Sequence, residues 1–186
     1  MIKTYSLILL LSISFGQNTI EDNVATFIEN LENKTLILSI EKDDINTNAT
    51  LSILNEKIYF DTLSEDGTIA VVDSVSITTY DFNEQVIIME TVDNTFLDIF
   101  NSNNLSKYNI IDKSVQYGIY KIDYKFEALL TSIEFDMSSK EIISIEVKDD
   151  DIILFKSRIK GISAFSSPIN KNNFDSWKVL DWRENG

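Results

Sequence analysis

The chain of 186 residues carries 30 acidic against 16 basic residues, a formal charge of −14, with 44% hydrophobic residues and neither histidine nor cysteine. A charge of that sign repels nucleic acid and anionic lipid headgroups, and the missing imidazoles and thiols remove disulfides, thiol nucleophiles, imidazole bases and the usual zinc ligands. The length fits one domain, or one domain behind an address segment, with enough apolar content for a packed core.

In chain order, the first segment is MIKTYSLILLLSISFGQ, with one early lysine, an apolar run from Leu7 to Phe15, and small residues Ser14 and Gly16 at the spacing signal peptidase accepts. That pattern predicts a secretory signal peptide over residues 1–16 and a domain over residues 17–186. The run is too short to span a bilayer as a mature helix. Cleavage removes Lys3 and takes the charge from −14 to −15. A lipid-anchored lipoprotein needs a cysteine at its cleavage site, so its absence predicts a mature chain that is soluble in the periplasm. No second apolar run reaches transmembrane length.

After the signal, Ile20, Val24, Phe27, Ile28 and Leu31 fall at helical spacing, with Thr19 and Asp22 at capping-box positions. This predicts an amphipathic helix of three to four turns. From Thr35 the period becomes two, and strands are predicted near Thr35 to Lys42, Ala49 to Ile53, Lys57 to Leu63, Thr68 to Asp73, Ser76 to Tyr80 and Gln85 to Thr91. A short helix follows at about Thr95 to Asn101. The runs YNIID, QYGIYKIDY, ALLTSIEFDM, EIISIEVKD and IILFKSRIKGI continue as strands, and NFDSWKVLDW supplies the last. Ten or so short-spaced strands with one long and one short helix predict a mainly β fold: a large antiparallel sheet that curls toward a barrel.

There is no internal repeat and no linker. The acidic cluster Asp149-Asp150-Asp151 lacks the alternating oxygen ligands and central glycine of a calcium loop, so it reads as a solvated hairpin tip. Carboxylates and hydroxyls remain as candidate catalytic groups, but nothing selects a pair among so many acidic residues, and no catalytic residue, metal or cofactor is expected.

The strand Val86-Ile87-Ile88-Met89 is apolar on both faces, whereas a half-solvated antiparallel strand alternates. Something must cover its second face. The apolar faces of Ile20 to Leu31 and Phe96 to Phe100 are the available covers. They either complete a close-packed core or plug an open sheet whose interior can receive another molecule.

Several patterns agree in order with one family. GTIAVVDSVSITTYDFNEQVII resembles a strand, Ser-Asp-Gly turn, strand ending in Tyr-Asn/Asp-Pro, and Gln-Val strand, with Asp73, Tyr80, Asp81, Gln85 and Val86 on the matching positions. NTFLDIFN falls where a short lid helix is carried, IEFDMSSKEIISIEVKDDD resembles a strand-turn-strand leading into an acidic turn at Asp149, and NKNNFDSWKVLDW resembles a closing segment through Phe174, Val179 or Leu180, and Asp181. Over nearly the whole mature chain this is similar to the periplasmic lipoprotein carrier family, LolA. The glycine of the turn is absent after Asp73, as are the prolines after Tyr-Asp and before the last strand. The family's lid-binding arginine is also absent: its strand matches Tyr59 and Phe60, and the only arginines are Arg158 and Arg183.

The resemblance implies an incomplete β-barrel covered by the long helix and the short one, whose cavity shields the acyl chains of lipoproteins. Cavity and lid would draw on Val24, Phe27, Ile28 and Leu31 of the first helix, and on Phe96, Leu97 and Phe100 of the second. The strands would add Tyr59, Phe60, Ile77, Tyr80, Val86, Ile88, Ile133 and Phe135. Its implied partners are lipoproteins, an inner-membrane lipoprotein-releasing ABC transporter and an outer-membrane lipoprotein receptor, met as a monomer. A periplasmic binding or sensor module for another lipid on the same fold is the alternative. With no arginine at Tyr59 or Phe60, the lid is expected to rest on apolar packing from Phe60 and at most one hydrogen bond from Tyr59.

Overall fold

The computed structural model describes residues 19–42, 45–63, 67–92, 96–100, 107–169 and 174–183, so the expected signal peptide lies outside the described residues. Within them the chain forms one α-helix, α1 (Ile20–Glu29), and a 3-10 helix at Phe96–Phe100. Six strands precede the 3-10 helix: β1 (Lys34–Lys42), β2 (Ile45–Leu54), β3 (Lys57–Asp61), β4 (Thr68–Val72), β5 (Ser76–Asp81) and β6 (Val86–Thr91). Six follow it: β7 (Asn109–Gln116), β8 (Ile119–Phe126), β9 (Leu129–Asp136), β10 (Glu141–Asp149), β11 (Ile152–Ala164) and β12 (Lys178–Asp181).

Helix α1 begins where the capping pattern places it. The Thr19 amide donates to Asp22 Oδ2 at 2.8 Å while the Asp22 amide donates to Thr19 Oγ1 at 3.2 Å, satisfying two amides that the helix itself leaves orphaned. The tight hairpins rest on residues with positive φ: Asn55 (51°) and Glu56 (63°) join β2 to β3, and Tyr117 (53°) with Gly118 (81°) joins β7 to β8. The second of these corrects the reading of QYGIYKIDY as one strand. A tyrosine in the left-handed region is rare, so Tyr117 gave no turn signal, and Gly118 alone marked the break.

All twelve strands form one sheet in the order β12-β6-β5-β4-β3-β2-β1-β11-β10-β9-β8-β7. Pairing is antiparallel throughout except for β12, which runs parallel to β6. The two ends of the chain's strand meander meet at β1 and β11, where Lys34 to Ile40 pair with Ala164 to Ser157. The outer strands β12 and β7 each have one sheet neighbour, so the sheet does not close among the described residues. Register shifts interrupt β1–β11, β10–β11, β9–β10 and β7–β8. Each such irregularity bends its strand and adds twist, which curls this half of the sheet.

Candidate functional site

Alternation along the strands sends one set of side chains to a single apolar cluster. It runs across the sheet from Ile58 and Val72 through Leu36, Leu38, Leu51 and Phe155 to Ile145, Ile133, Phe135, Ile122 and Tyr124. The strands alone do not complete it. Val24, Phe27 and Ile28 of α1, Leu31 just beyond it, and Leu97, Ile99 and Phe100 of the 3-10 helix belong to the same cluster and are buried with it. Burial in this cluster pushes the Tyr124 phenol up to about 12, because the phenolate would lose its hydration there.

Most of the residues expected to line one interior meet in this cluster. Val24, Phe27, Ile28, Leu31, Leu97, Phe100, Ile133 and Phe135 are buried in it, and Phe60 and Ile77 pack against it from its margin. Val86 and Ile88 pair with Asp81 and Thr79, which places them on the same sheet face as Ile77, half-buried beyond the cluster. Phe96 opens the 3-10 helix, and its side chain lies outside the description. Tyr59 and Tyr80 are different. Strand parity puts them on the opposite face, where Tyr59 meets Phe165 edge-on at 5.8 Å and Tyr80 meets Phe174 at 4.9 Å.

That opposite face answers what covers the second side of the doubly apolar strands. Phe165 just after β11, and Phe174 and Trp177 just before β12, lie on it. Phe174 and Trp177 pack at 4.8 Å, and both meet Phe82, at 5.9 and 5.1 Å. Over β8 to β11 the same face is polar instead, and a groove of about 510 Å³ there is lined by Ser39, Lys121, Glu134, Ser144 and Arg158 among others. The covers expected from the helices therefore act on one face, and the C-terminal segment serves the other. Periodicity marks which residues share a face, but it carries no label for which face is inside.

The contacts of α1 with the sheet are unequal at its two ends. Beyond its C-terminus the backbone is knitted in: the Asn33 amide donates to the Ile53 carbonyl at 2.9 Å, the Phe165 amide donates to the Asn33 carbonyl at 3.0 Å, and Glu32 Oε1 accepts from the Asn55 amide at 2.7 Å. Near its N-terminus, Glu21 forms an ion pair with Lys113 of the end strand β7. Lys113 pairs with Ile122 and so shares the cluster's face, yet its side chain is 49% exposed. Between α1 and the β9–β10 turn lies a depression of about 340 Å³, lined by Phe27, Leu31, Lys140 and Ile162 among others.

Neither arginine contributes to this arrangement. Arg183 forks onto Asp181, whose carboxyl is held down to about 2, chiefly by that hydrogen bond, and Arg158 pairs by register with Ser39 and Ser144 on the polar face. Phe60, at the position of the expected latch, turns toward the cluster and meets Phe155 edge-on at 6.2 Å, whereas Tyr59 turns away. The expected hydrogen bond from Tyr59 to the lid is thus corrected by parity: adjacent residues in a strand face opposite ways. The Glu21–Lys113 pair was not anticipated, since nothing local links residues so far apart.

Neither a family model nor a curated protein matches the chain's sequence. Among solved structures, its fold is similar to that of an uncharacterized conserved protein from Thermus thermophilus, with a TM-score of 0.55 at 8% identity, over 87% of this chain and 96% of that one. It is less similar to MucB, with a TM-score of 0.42 at 10% identity over 90% of this chain and 66% of that one. For MucB in complex with MucA(peri) the TM-score is 0.40 at 9% identity, over 84% and 58%. The Thermus likeness is one of fold and defines the class: a mainly β chain built on one large, unclosed sheet with a single α-helix among the described residues.

Proposed function

We propose that the protein is a LolA-like carrier that shields the acyl chains of lipoproteins inside the curved sheet and moves them across the periplasm from the inner to the outer membrane. The observation that supports this reading is the composition of the cluster: α1 and the 3-10 helix share one apolar cluster with the strands of a sheet that does not close among the described residues. A helix knitted in at one end and held by an exposed ion pair at the other is suited to lift and return. Each methylene moved from water into such an interior gains about 0.8 kcal/mol, so many weak apolar contacts suffice for capture and still permit release. The chain then acts as a chaperone and not as a catalyst, receiving cargo from an inner-membrane lipoprotein-releasing ABC transporter and passing it to an outer-membrane lipoprotein receptor. The signal peptide expected over residues 1–16 supports a periplasmic location.

Titration of the mature protein with a fluorescent fatty acid tests the reading. Saturation near one site is expected, and Phe100→Asp should weaken binding by at least about tenfold, since it sets a carboxylate into the apolar cluster. Circular dichroism on the same variant establishes that the sheet remains folded. A folded wild-type protein that binds no fatty acid would leave the cluster as a closed core.

A further inference from the structure

Two hydroxyl residues interrupt the apolar interior, Thr131 between Val147 and Tyr124, and Ser157. Ser157 lies at the middle of β11 between Phe155 and Ile159 in the alternation, and across the sheet it is flanked by Ile40 on β1 and Ile145 on β10. The row continues through Ile133 and Ile122, so a single hydroxyl stands in a line of isoleucines. Ser157 is 1% exposed, and its Oγ has no hydrogen-bond partner; among the described residues it is the one buried side-chain polar atom in that state. Three other buried hydroxyls of this sheet are satisfied. Thr35 and Ser52 share a hydrogen bond of 2.7 Å and engage the Ser166 backbone, and the Ser132 hydroxyl donates to Asp123 Oδ1 at 2.6 Å.

Leaving a buried hydroxyl unpaired costs about 1–3 kcal/mol, a penalty that alanine at this position avoids. An acceptor that arrives with a ligand would satisfy this donor. We infer that the Ser157 hydroxyl donates to the carbonyl oxygen of an acyl linkage, so that the interior recognises a chain attached through an ester or amide and not hydrocarbon alone. Helix α1 lies against β10, the strand beside Ser157. The inference rests on the carrier reading and names the polar group of its cargo.

The test uses two lysophospholipids of equal chain length, one acyl (ester) and one alkyl (ether), which differ by the carbonyl. In a purely apolar interior the ester binds more weakly than the ether, because its carbonyl is desolvated without compensation. With the hydroxyl engaged, the wild-type protein should bind the ester about fivefold to tenfold more tightly, the size of one hydrogen bond. Ser157→Ala should abolish or reverse that preference while leaving ether affinity within about twofold, and Ser157→Thr should retain it. The carbonyl stretch of the bound ester should lie at lower wavenumber in wild type than in Ser157→Ala. Equal ester preference in wild type and Ser157→Ala, or an ether preference in wild type, overturns the inference and leaves the carrier reading standing. No binding of either lipid by folded wild-type protein overturns both.

Discussion

At the scale of single residues, aspartates at strand ends take the part that glycine and proline play in other turns. Asp73 is the clearest case. Its Oδ1 accepts from the amides of Val75 and Ser76 at 3.0 and 2.8 Å, closing the β4–β5 turn without the glycine expected there, and Lys57 Nζ lies 3.6 Å from its other oxygen. Asp81 does the same for Asn83 and Glu84. The hydrogen bond from the Val75 amide is the leading cause that holds the Asp73 carboxyl below its ordinary 3.8. A carboxyl whose folded pKa is depressed stabilises the fold above its unfolded value and loses that contribution as pH falls through the folded one. Asp73→Ala should therefore lower stability by about 1 kcal/mol at pH 7, and urea unfolding should show the gap to wild type narrowing below 3.8. A gap that stays constant into acid would mean the ionised carboxylate is not what closes the turn. The aspartates were visible as turn residues, but their substitution for the missing glycine was not, since one-residue patterns do not state which backbone amides converge.

At the scale of elements, α1 was legible to within a turn because its cap and its apolar spacing agree, and its buried residues Val24, Phe27 and Ile28 are the ones the spacing marks. Its attachment was not legible, because Glu21 and Lys113 come together only through the full strand order. An exposed ion pair contributes about 0.2–1 kcal/mol and weakens with salt. Glu21→Lys should accordingly increase amide exchange in the first turns of α1 with little change in global stability, and raised salt should bring wild type toward the variant. The double exchange Glu21→Lys with Lys113→Glu should restore protection. Exchange that is indifferent to both single and double variants would place the restraint on α1 in apolar packing alone. The same long-range problem hid the β1–β11 pairing: residues 34–40 meet residues 157–164 only when the whole meander has been laid down.

At the scale of the molecule, the mainly β character and the large unclosed sheet follow from periodicity, and Val86 to Met89 of β6, which reads as apolar on both faces, is half-buried on both. What periodicity leaves open is which cover lies where. The helices and the cluster occupy one face, and Tyr59, Tyr80, Phe82, Phe165, Phe174 and Trp177 form the other. Two apolar surfaces back to back make the location of a bound chain the central question. A fatty acid bearing a diazirine along its chain, bound to the mature protein, photolysed and mapped by peptide mass spectrometry, decides it most directly. The carrier account predicts adducts on peptides of α1, the 3-10 helix and the interior of β9, through residues such as Phe27, Phe100, Ile133 and Phe135. Adducts confined to Tyr59, Tyr80 and the segment from Phe165 to Trp177, or no saturable labelling of the folded protein, would contradict it.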